Sequence, residues 1–346
     1  MSGVVDGVDS DVFGCPHIST IRAVIGSNDA SIVERMKMLY YARHKGGPEA
    51  VEALQLGLNT RSNLLRHEIA YVLGQLGEPS AIPILTQLLS DPAEDDMVRH
   101  EAAEALAAVK STESLDLIRE YASDASLPAV VRETCELAVR SLEDKKEEQE
   151  PSDADPSPPA AAADESDKDQ RHQEEATQRG KGWTLHNPVG APSAAGADSS
   201  VSPYNTVDPL ATKKGYRKQD IPALRQTLLD HTSPLWLKYE SLFALRNLGG
   251  SGAVEAVSRA LTDDRTSALF RHELAFVLGQ MQSEDSVSAL VQCLGDASEH
   301  PMARHEAALA LGAIGSKEAI HALERHVEDP ELVVSESCLV GLAGGD

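Results

Sequence analysis

Arg66-His67-Glu68-Ile69-Ala70-Tyr71-Val72-Leu73-Gly74-Gln75 returns 205 residues later as Arg271-His272-Glu273-Leu274-Ala275-Phe276-Val277-Leu278-Gly279-Gln280. A looser copy follows each after 33 residues, Arg99-His100-Glu101-Ala102-Ala103 in the first case and Arg304-His305-Glu306-Ala307-Ala308 in the second. Self-similarity at a period of this size is the signature of stacked repeats. The matching offsets make the chain one module used twice.

Apolar residues within each copy fall at helical spacing. Ile69, Val72, Leu73 and Leu76 form one stripe, and Ala102, Ala105, Leu106 and Val109 another. Helix stops are expected near Gly77, Gly250 and Gly315, or at Pro79, where the chain must turn. A second apolar stretch follows, as in Ala81 to Leu89, Thr112 to Tyr121, Val287 to Leu294 and Glu318 to Val327, so the unit is a helical hairpin. Such hairpins cannot bury their apolar faces alone and therefore stack. The expected fold is all-α, an α-solenoid of HEAT-like helical hairpins, about four to each of two pseudo-symmetric halves.

The halves are placed at residues 31–143 and 215–346, after an N-terminal arm at 1–30. Between them, 144–214 is rich in Pro, Ala, Ser and acid and too poor in apolar surface to offset its ordering entropy, so it reads as a disordered linker. Only Trp183 to Val189 offers a candidate for local docking. The flanking hairpins keep the pattern without the chemistry: Val131-Arg132-Glu133 matches Val98-Arg99-His100 without its histidine, and Lys238-Tyr239-Glu240 stands in the equivalent place before His272.

Aromatic residues make up only 4 % of the chain, which suits thin helical layers better than a β-sandwich core. The formal charge of -24 argues against a nucleic-acid partner, since phosphate binding needs clustered Lys and Arg. It favours a cationic substrate or a basic protein partner. Cys15, Cys135, Cys293 and Cys338 form no C-x-x-C pair, which points to reduced thiols rather than a disulfide framework or a zinc knuckle. No apolar run is long enough to span a bilayer, and Met1 to Gly14 is acidic and polar where a signal peptide would be basic and then apolar. A cytoplasmic monomer without membrane association is expected.

His-Glu recurs at the same repeat position in two inner hairpins of each half. Adjacent helical residues point roughly 100° apart. One member of a pair can therefore face a metal while the other reaches a second metal, a substrate or a neighbouring histidine. Stacking should bring His67 near His100 and His272 near His305, giving each half two imidazoles and up to two carboxylates. That donor set suits a non-haem iron site with open positions for oxygen. Facing the halves about a pseudo-twofold axis would unite the two sets in one dinuclear centre.

Other metal chemistries are less well matched. H-E-x-x-H is absent, because Tyr71 and Glu104 stand where the second histidine would be. The E-x-x-H spacing of ferritin-like sites occurs in a folded region only at Glu318 to His321, which reads, with His326 and His17, as surface histidine. A manganese or mixed-metal dinuclear hydrolase stays open on ligand chemistry. So does a non-catalytic acidic HEAT scaffold for a basic protein.

Four His-Glu pairs in two HEAT-repeat halves, with Gly-Gln endings on the first paired helices, resemble the deoxyhypusine hydroxylase family. The long acidic linker departs from the family's more compact pattern. The resemblance implies a monooxygenase, an oxidoreductase of hypusine biosynthesis. It would hydroxylate the deoxyhypusine side chain on the precursor of eukaryotic translation initiation factor 5A, with two irons per chain and O2 as co-substrate. Carried over position by position, it implies His67, His100 and Glu101 as ligands of one iron and His272, His305 and Glu306 as ligands of the other. Glu68 and Glu273 take catalytic and substrate-binding roles, with a place among the metal ligands as the alternative, and Gly74, Gly279 and Met302 fall at positions that resemble the family's substrate channel. Surplus carboxylates suit a polyamine-like cation. The two glycines have an equal alternative in helix termination or tight hairpin packing.

Overall fold

A polar cap opens each of the four His-Glu helices and sets where its hairpin turns. The Ser62 hydroxyl accepts from the Leu65 N–H at 3.0 Å, and Ser267 does the same for Phe270 at 3.0 Å. Asp95 accepts from Met97 at 3.0 Å, and the His300 imidazole from Met302 at 3.2 Å. Each satisfies an N–H that the first helical turn leaves without a partner. Gly77 and Gly315 close two of these helices in the left-handed region, at φ 66° and 65°, which glycine enters without penalty.

The computed structural model describes residues 15–149, 204, 206–210 and 215–344. Among them are sixteen α-helices, packed in consecutive pairs, and no strand. The first half contains α1 (Ile18–Ile25) with α2 (Ile32–Lys45), α3 (Gly47–Leu56) with α4 (Asn63–Leu76), α5 (Ile82–Ser90) with α6 (Asp96–Ala108), and α7 (Leu115–Ser123) with α8 (Ala129–Gln149). The second contains α9 (Ile221–Leu229) with α10 (Leu235–Leu248), α11 (Ser251–Asp263) with α12 (Ala268–Met281), α13 (Val287–Gly295) with α14 (Pro301–Ile314), and α15 (Lys317–Glu324) with α16 (Leu332–Gly344). The second helices of successive hairpins stack on one another as an inner layer, α4 on α6 on α8 and α12 on α14 on α16.

The stacks also meet end to end. α8 of the first half packs on α12, and α16 of the second packs on α2 and α4. At the first junction the Arg140 guanidinium lies 3.8 Å from the centre of the Trp236 ring, a cation–π contact from α8 to α10. The solenoid is thus closed both ways around a pseudo-twofold axis. Tyr71 and Phe276, equivalent residues of α4 and α12, face each other across it with ring centroids 6.2 Å apart.

The arginine before the His-Glu pairs is a brace between layers. Arg99 donates to the Leu89 carbonyl at 3.1 Å, Arg304 to that of Leu294 at 2.9 Å, and Arg271 to that of Leu261. Arg35 does the same to Ile25 at 3.0 Å in a hairpin that has no His-Glu pair. Each acceptor lies in the last turn of the preceding outer helix, where carbonyls lack an intrahelical donor and a cation complements the dipole. Arg66 departs from this, donating to the Thr60 carbonyl at 2.7 Å and pairing with Glu94 at 2.7 Å.

Two stretches differ from the sequence expectation. The N-terminal arm includes α1, whose Ile21 and Ile25 are fully buried, because Ile18, Ile21 and Ile25 form a stripe too short to stand out by periodicity. Within the linker, Val207 donates its N–H to Gln75 at 2.8 Å, Asp208 forms an ion pair with Arg246 at 2.5 Å, and Leu210 is buried. Gln280, the counterpart of Gln75, donates to the Thr206 hydroxyl at 3.3 Å. This strap therefore touches the ends of both α4 and α12. Trp183 to Val189 lies outside the described residues.

Arg304→Met should lower the unfolding free energy in urea by about 1.5–3 kcal/mol, because the Leu294 carbonyl and Asp329 lose a charged donor. Arg259→Met, on an exposed face, should stay within about 0.5 kcal/mol.

Candidate metal centre

The inner layer turns the same register position of α4, α6, α12 and α14 toward the axis. As a result His67, His100, His272 and His305 are only 0–6 % exposed, and Glu68, Glu101, Glu273 and Glu306 only 0–4 %. Ring centroids of His67 lie 5.3 Å from His100, 5.7 Å from His272 and 5.2 Å from His305. His272 is 5.4 Å from His100 and 5.3 Å from His305. All four imidazoles share one cluster drawn from both halves.

Carboxylates line it. Glu101 Oε2 approaches His67 Nε2 at 3.3 Å, Glu68 Oε1 approaches His67 Nδ1 at 3.4 Å, and Glu306 Oε2 approaches His272 Nε2 at 3.5 Å. The two contacts to a ring Nε2, Glu101 to His67 and Glu306 to His272, are pseudo-symmetric, each joining the first paired helix of a half to the second. Ligand atoms of His272, His305 and Glu306 lie within 4.8 Å of one another, the triad expected for the second half. In the first half the groups of that size are His67, His100 and His272, and His100, Glu101 and Glu104. His67 of the expected triad thus groups with His100 and a histidine from the opposite half.

His100 is fully buried, and neither ring nitrogen has a hydrogen-bond partner among the described residues. A buried polar atom without a partner is costly in an apolar core. Imidazole lone pairs facing ionisable oxygens in this way fit a bound transition-metal cation, and the donor set, nitrogen with carboxylate, suits iron or manganese better than calcium.

The electrostatics without a metal fit the same conclusion. Burial works against a proton on His67, but hydrogen bonding and charge from Glu101 and Glu68 outweigh it and hold this imidazole up to about 10. His100 is pushed well down by burial and by the neighbouring histidines His67, His305 and His300. Glu273 is pushed up to about 8 by burial first, then by Glu101, Asp208 and Glu306. Without a metal, His67 and Glu273 keep protons at neutral pH, and a bound cation would displace them.

Three polar residues beside this cluster escaped the sequence reading. Glu104 is pushed well above the carboxylate range by burial and by Glu101, Glu273 and Asp208. It follows Glu101 by one helical turn, a legible signal, but its counterpart in the second half is Leu309, so repeat matching passes over it. Tyr239 is fully buried at the histidine register position of α10, and burial raises its phenol, with Glu273 next in effect. Asp208 arrives from the strap.

Gly74 and Gly279 have a packing role. A Cβ on Gly74 would lie 2.8 Å from Ala105 Cα, and one on Gly279 would lie 3.0 Å from Ala310 Cα, so each glycine admits the next inner helix. On that side the space each leaves is taken by the neighbouring helix, in keeping with tight hairpin packing. Met302, 1 % exposed, likewise packs into the core at the start of α14.

The model for HEAT repeats matches residues 23–97, 51–142 and 264–343. The solved structure of human deoxyhypusine hydroxylase in complex with glycerol superposes with a TM-score of 0.75 at 36 % identity, covering 94 % of each chain. The chain belongs to the deoxyhypusine hydroxylase family. Among curated deoxyhypusine hydroxylases, that of Rattus norvegicus is 40 % identical over 243 residues, 70 % of this chain and 63 % of that protein. That of Arabidopsis thaliana is 38 % identical over 227 residues, 65 % of this chain and 58 % of that protein. In these alignments the chain spans less than two thirds of the relatives' length. No described helix is long and apolar enough to cross a membrane.

The raised groups give a sign for the pH dependence of the metal-free protein. The folded state keeps a proton on His67 up to about 10 against an ordinary 6.5, and on Glu273 up to about 8 against 4.5. Stability from these groups is full below the lower value of each pair and is lost as pH rises through the upper one, at about 1.4 kcal/mol per pH unit for each proton. Calorimetry should show the metal-free protein losing stability from pH 6.5 toward 10. Metal titration at neutral pH should release protons. Gly74→Ala should cost about 1–3 kcal/mol in denaturant unfolding through overpacking against Ala105. Unchanged stability with weakened substrate binding would favour the channel reading.

Proposed function

We propose that the protein is a di-iron deoxyhypusine monooxygenase acting on the deoxyhypusine-containing precursor of eukaryotic translation initiation factor 5A. The observation that carries this reading is the meeting of four buried imidazoles from matched positions of two halves, with carboxylates interleaved. His67, His100 and Glu101 would hold one iron, and His272, His305 and Glu306 the other. Iron bound there supplies the activation of O2 that a purely organic side-chain set lacks. One oxygen atom enters a substrate C–H bond, and the other leaves as water with two protons and two electrons from an external reductant.

The chain's own residues do the rest. Glu68 and Glu273, on the residue after each first-helix histidine, stand beside the ligands, where the amines of the substrate side chain would form charge-assisted hydrogen bonds with them. Tyr71 and Phe276 meet edge to face on the axis and present apolar surface there, which would exclude water from a site where charge must be transferred. The acid excess of the chain draws a basic protein substrate toward it. Buried thiols at Cys135, Cys293 and Cys338, each pushed up to about 12 by burial, suit the reducing cytoplasm.

Incubating the iron-loaded protein with the deoxyhypusine form of the factor under air should add the mass of one oxygen atom to it. Iron analysis should find two per chain. Turnover without dioxygen would indicate a hydrolase instead and would overturn the proposal. His67→Ala and His272→Ala should each lower iron content, while Glu68→Ala should weaken substrate binding more than iron loading.

A further inference from the structure

The two hairpins that lack His-Glu at the far end of each half carry a glutamate in the histidine's place. Glu133 stands 33 residues after His100 in α8, and Glu336 stands 31 residues after His305 in α16, one register position in two helices. Neither glutamate points to the histidine cluster of its own half. The Ser267 hydroxyl donates to Glu133 Oε2 at 2.6 Å, and the Ser62 hydroxyl donates to Glu336 Oε2 at 2.6 Å. Each bond therefore crosses from one half to the other, and the pair repeats the pseudo-twofold symmetry of the molecule.

Both serines are also N-caps, of α12 and α4, the helices that carry His272 and His67. Each hydroxyl oxygen accepts from its own helix while its hydrogen is given to the opposite half. A carboxylate at this place further complements the positive end of the helix. Ser62 precedes His67 by five residues, about 7.5 Å of helix, so the cap and the imidazole move as one rigid piece.

We infer that Glu133 and Glu336 are positioning residues that set the register of the two halves and so bring the two ligand sets within reach of a shared centre. This rests on the di-iron reading above. The linker is too long to impose a register by itself. Two charge-assisted bonds on either side of the axis define the relative rotation of the stacks, which the four imidazoles require.

The test uses the full chain. Glu133→Ala and Glu336→Ala should each weaken binding of the second iron(II) about tenfold, read by anaerobic competition with a chromophoric chelator. The double variant should lose about a hundredfold, since the two contacts are independent. Magnetic coupling between the irons should fall in parallel. Glu133→Gln and Glu336→Gln keep the acceptor oxygen and should restore both readouts, and Ser267→Ala combined with Glu133→Ala should be no worse than Ser267→Ala alone, which already removes the contact along with the helix cap. Should the alanine variants fail to fold, Glu133→Asp and Glu336→Asp withdraw the carboxylate and carry the same comparison.

In the metal-free protein, Glu336→Ala should speed hydrogen exchange in the first turn of α4, across the junction from the substitution, and Glu133→Ala should do so in α12. Unaltered iron affinity, coupling and exchange in the folded variants would overturn the inference. A wild-type chain that never takes two irons would instead overturn the di-iron reading, and exchange in the metal-free protein would still decide whether the glutamates hold the opposite helices.

Discussion

Burying four imidazoles and four carboxylates at the centre of a stack made largely of alanine and leucine is the constraint on which the structure depends. Taking such groups out of water is unfavourable unless each gains a partner, and ionised carboxylates are the most demanding. Part of the compensation lies within the cluster, where Glu68 and Glu101 embrace His67. His100, with no hydrogen-bond partner for either nitrogen among the described residues, shows that the protein alone does not complete it. A cation at the centre would satisfy these donors together. The site is therefore as much a demand of the fold as a product of it.

The frame that tolerates this centre is built from contacts at its edges. Arginines tie inner helices to the ends of outer ones, so that each layer is fixed to the next by charge-assisted bonds to exposed helix carbonyls. Glycines at 74 and 279 let inner helices approach closely enough for the histidines of successive hairpins to touch. Closure of the solenoid, through Arg140 on Trp236 and the serine–glutamate contacts, then brings two surfaces to one centre. An open stack of the same hairpins would leave two separate pairs of histidines.

Repeat residues that look redundant in one dimension acquire different work in three. The arginine of Arg-His-Glu recurs beside every His-Glu pair, yet Arg35 performs its bracing role in a hairpin that has no His-Glu pair. Glu133 reads as a lost histidine and is an inter-half contact. Gly74 and Gly279 each admit a neighbouring helix at close range. Glu104 shows the reverse: it has no counterpart at Leu309, so the duplication hides it, and only its place beside Glu101 brings it to the centre.

Local sequence was sufficient for the hairpins, their duplication and the four His-Glu pairs, because helical periodicity, capping residues and turn glycines act within a few residues of one another. The repeat offset also placed equivalent side chains on equivalent faces, since stacked copies of one unit share one register. Whether those faces would meet was not a local matter. That depended on α8 and α16 reaching the opposite half, on the strap from Thr206 to Leu210 crossing between Gln75 and Gln280, and on Glu133 and Glu336 finding serines 134 and 274 residues away. Such contacts leave no periodic trace in a chain, because they join positions whose separation is set by closure of the whole ring and not by the geometry of a helix.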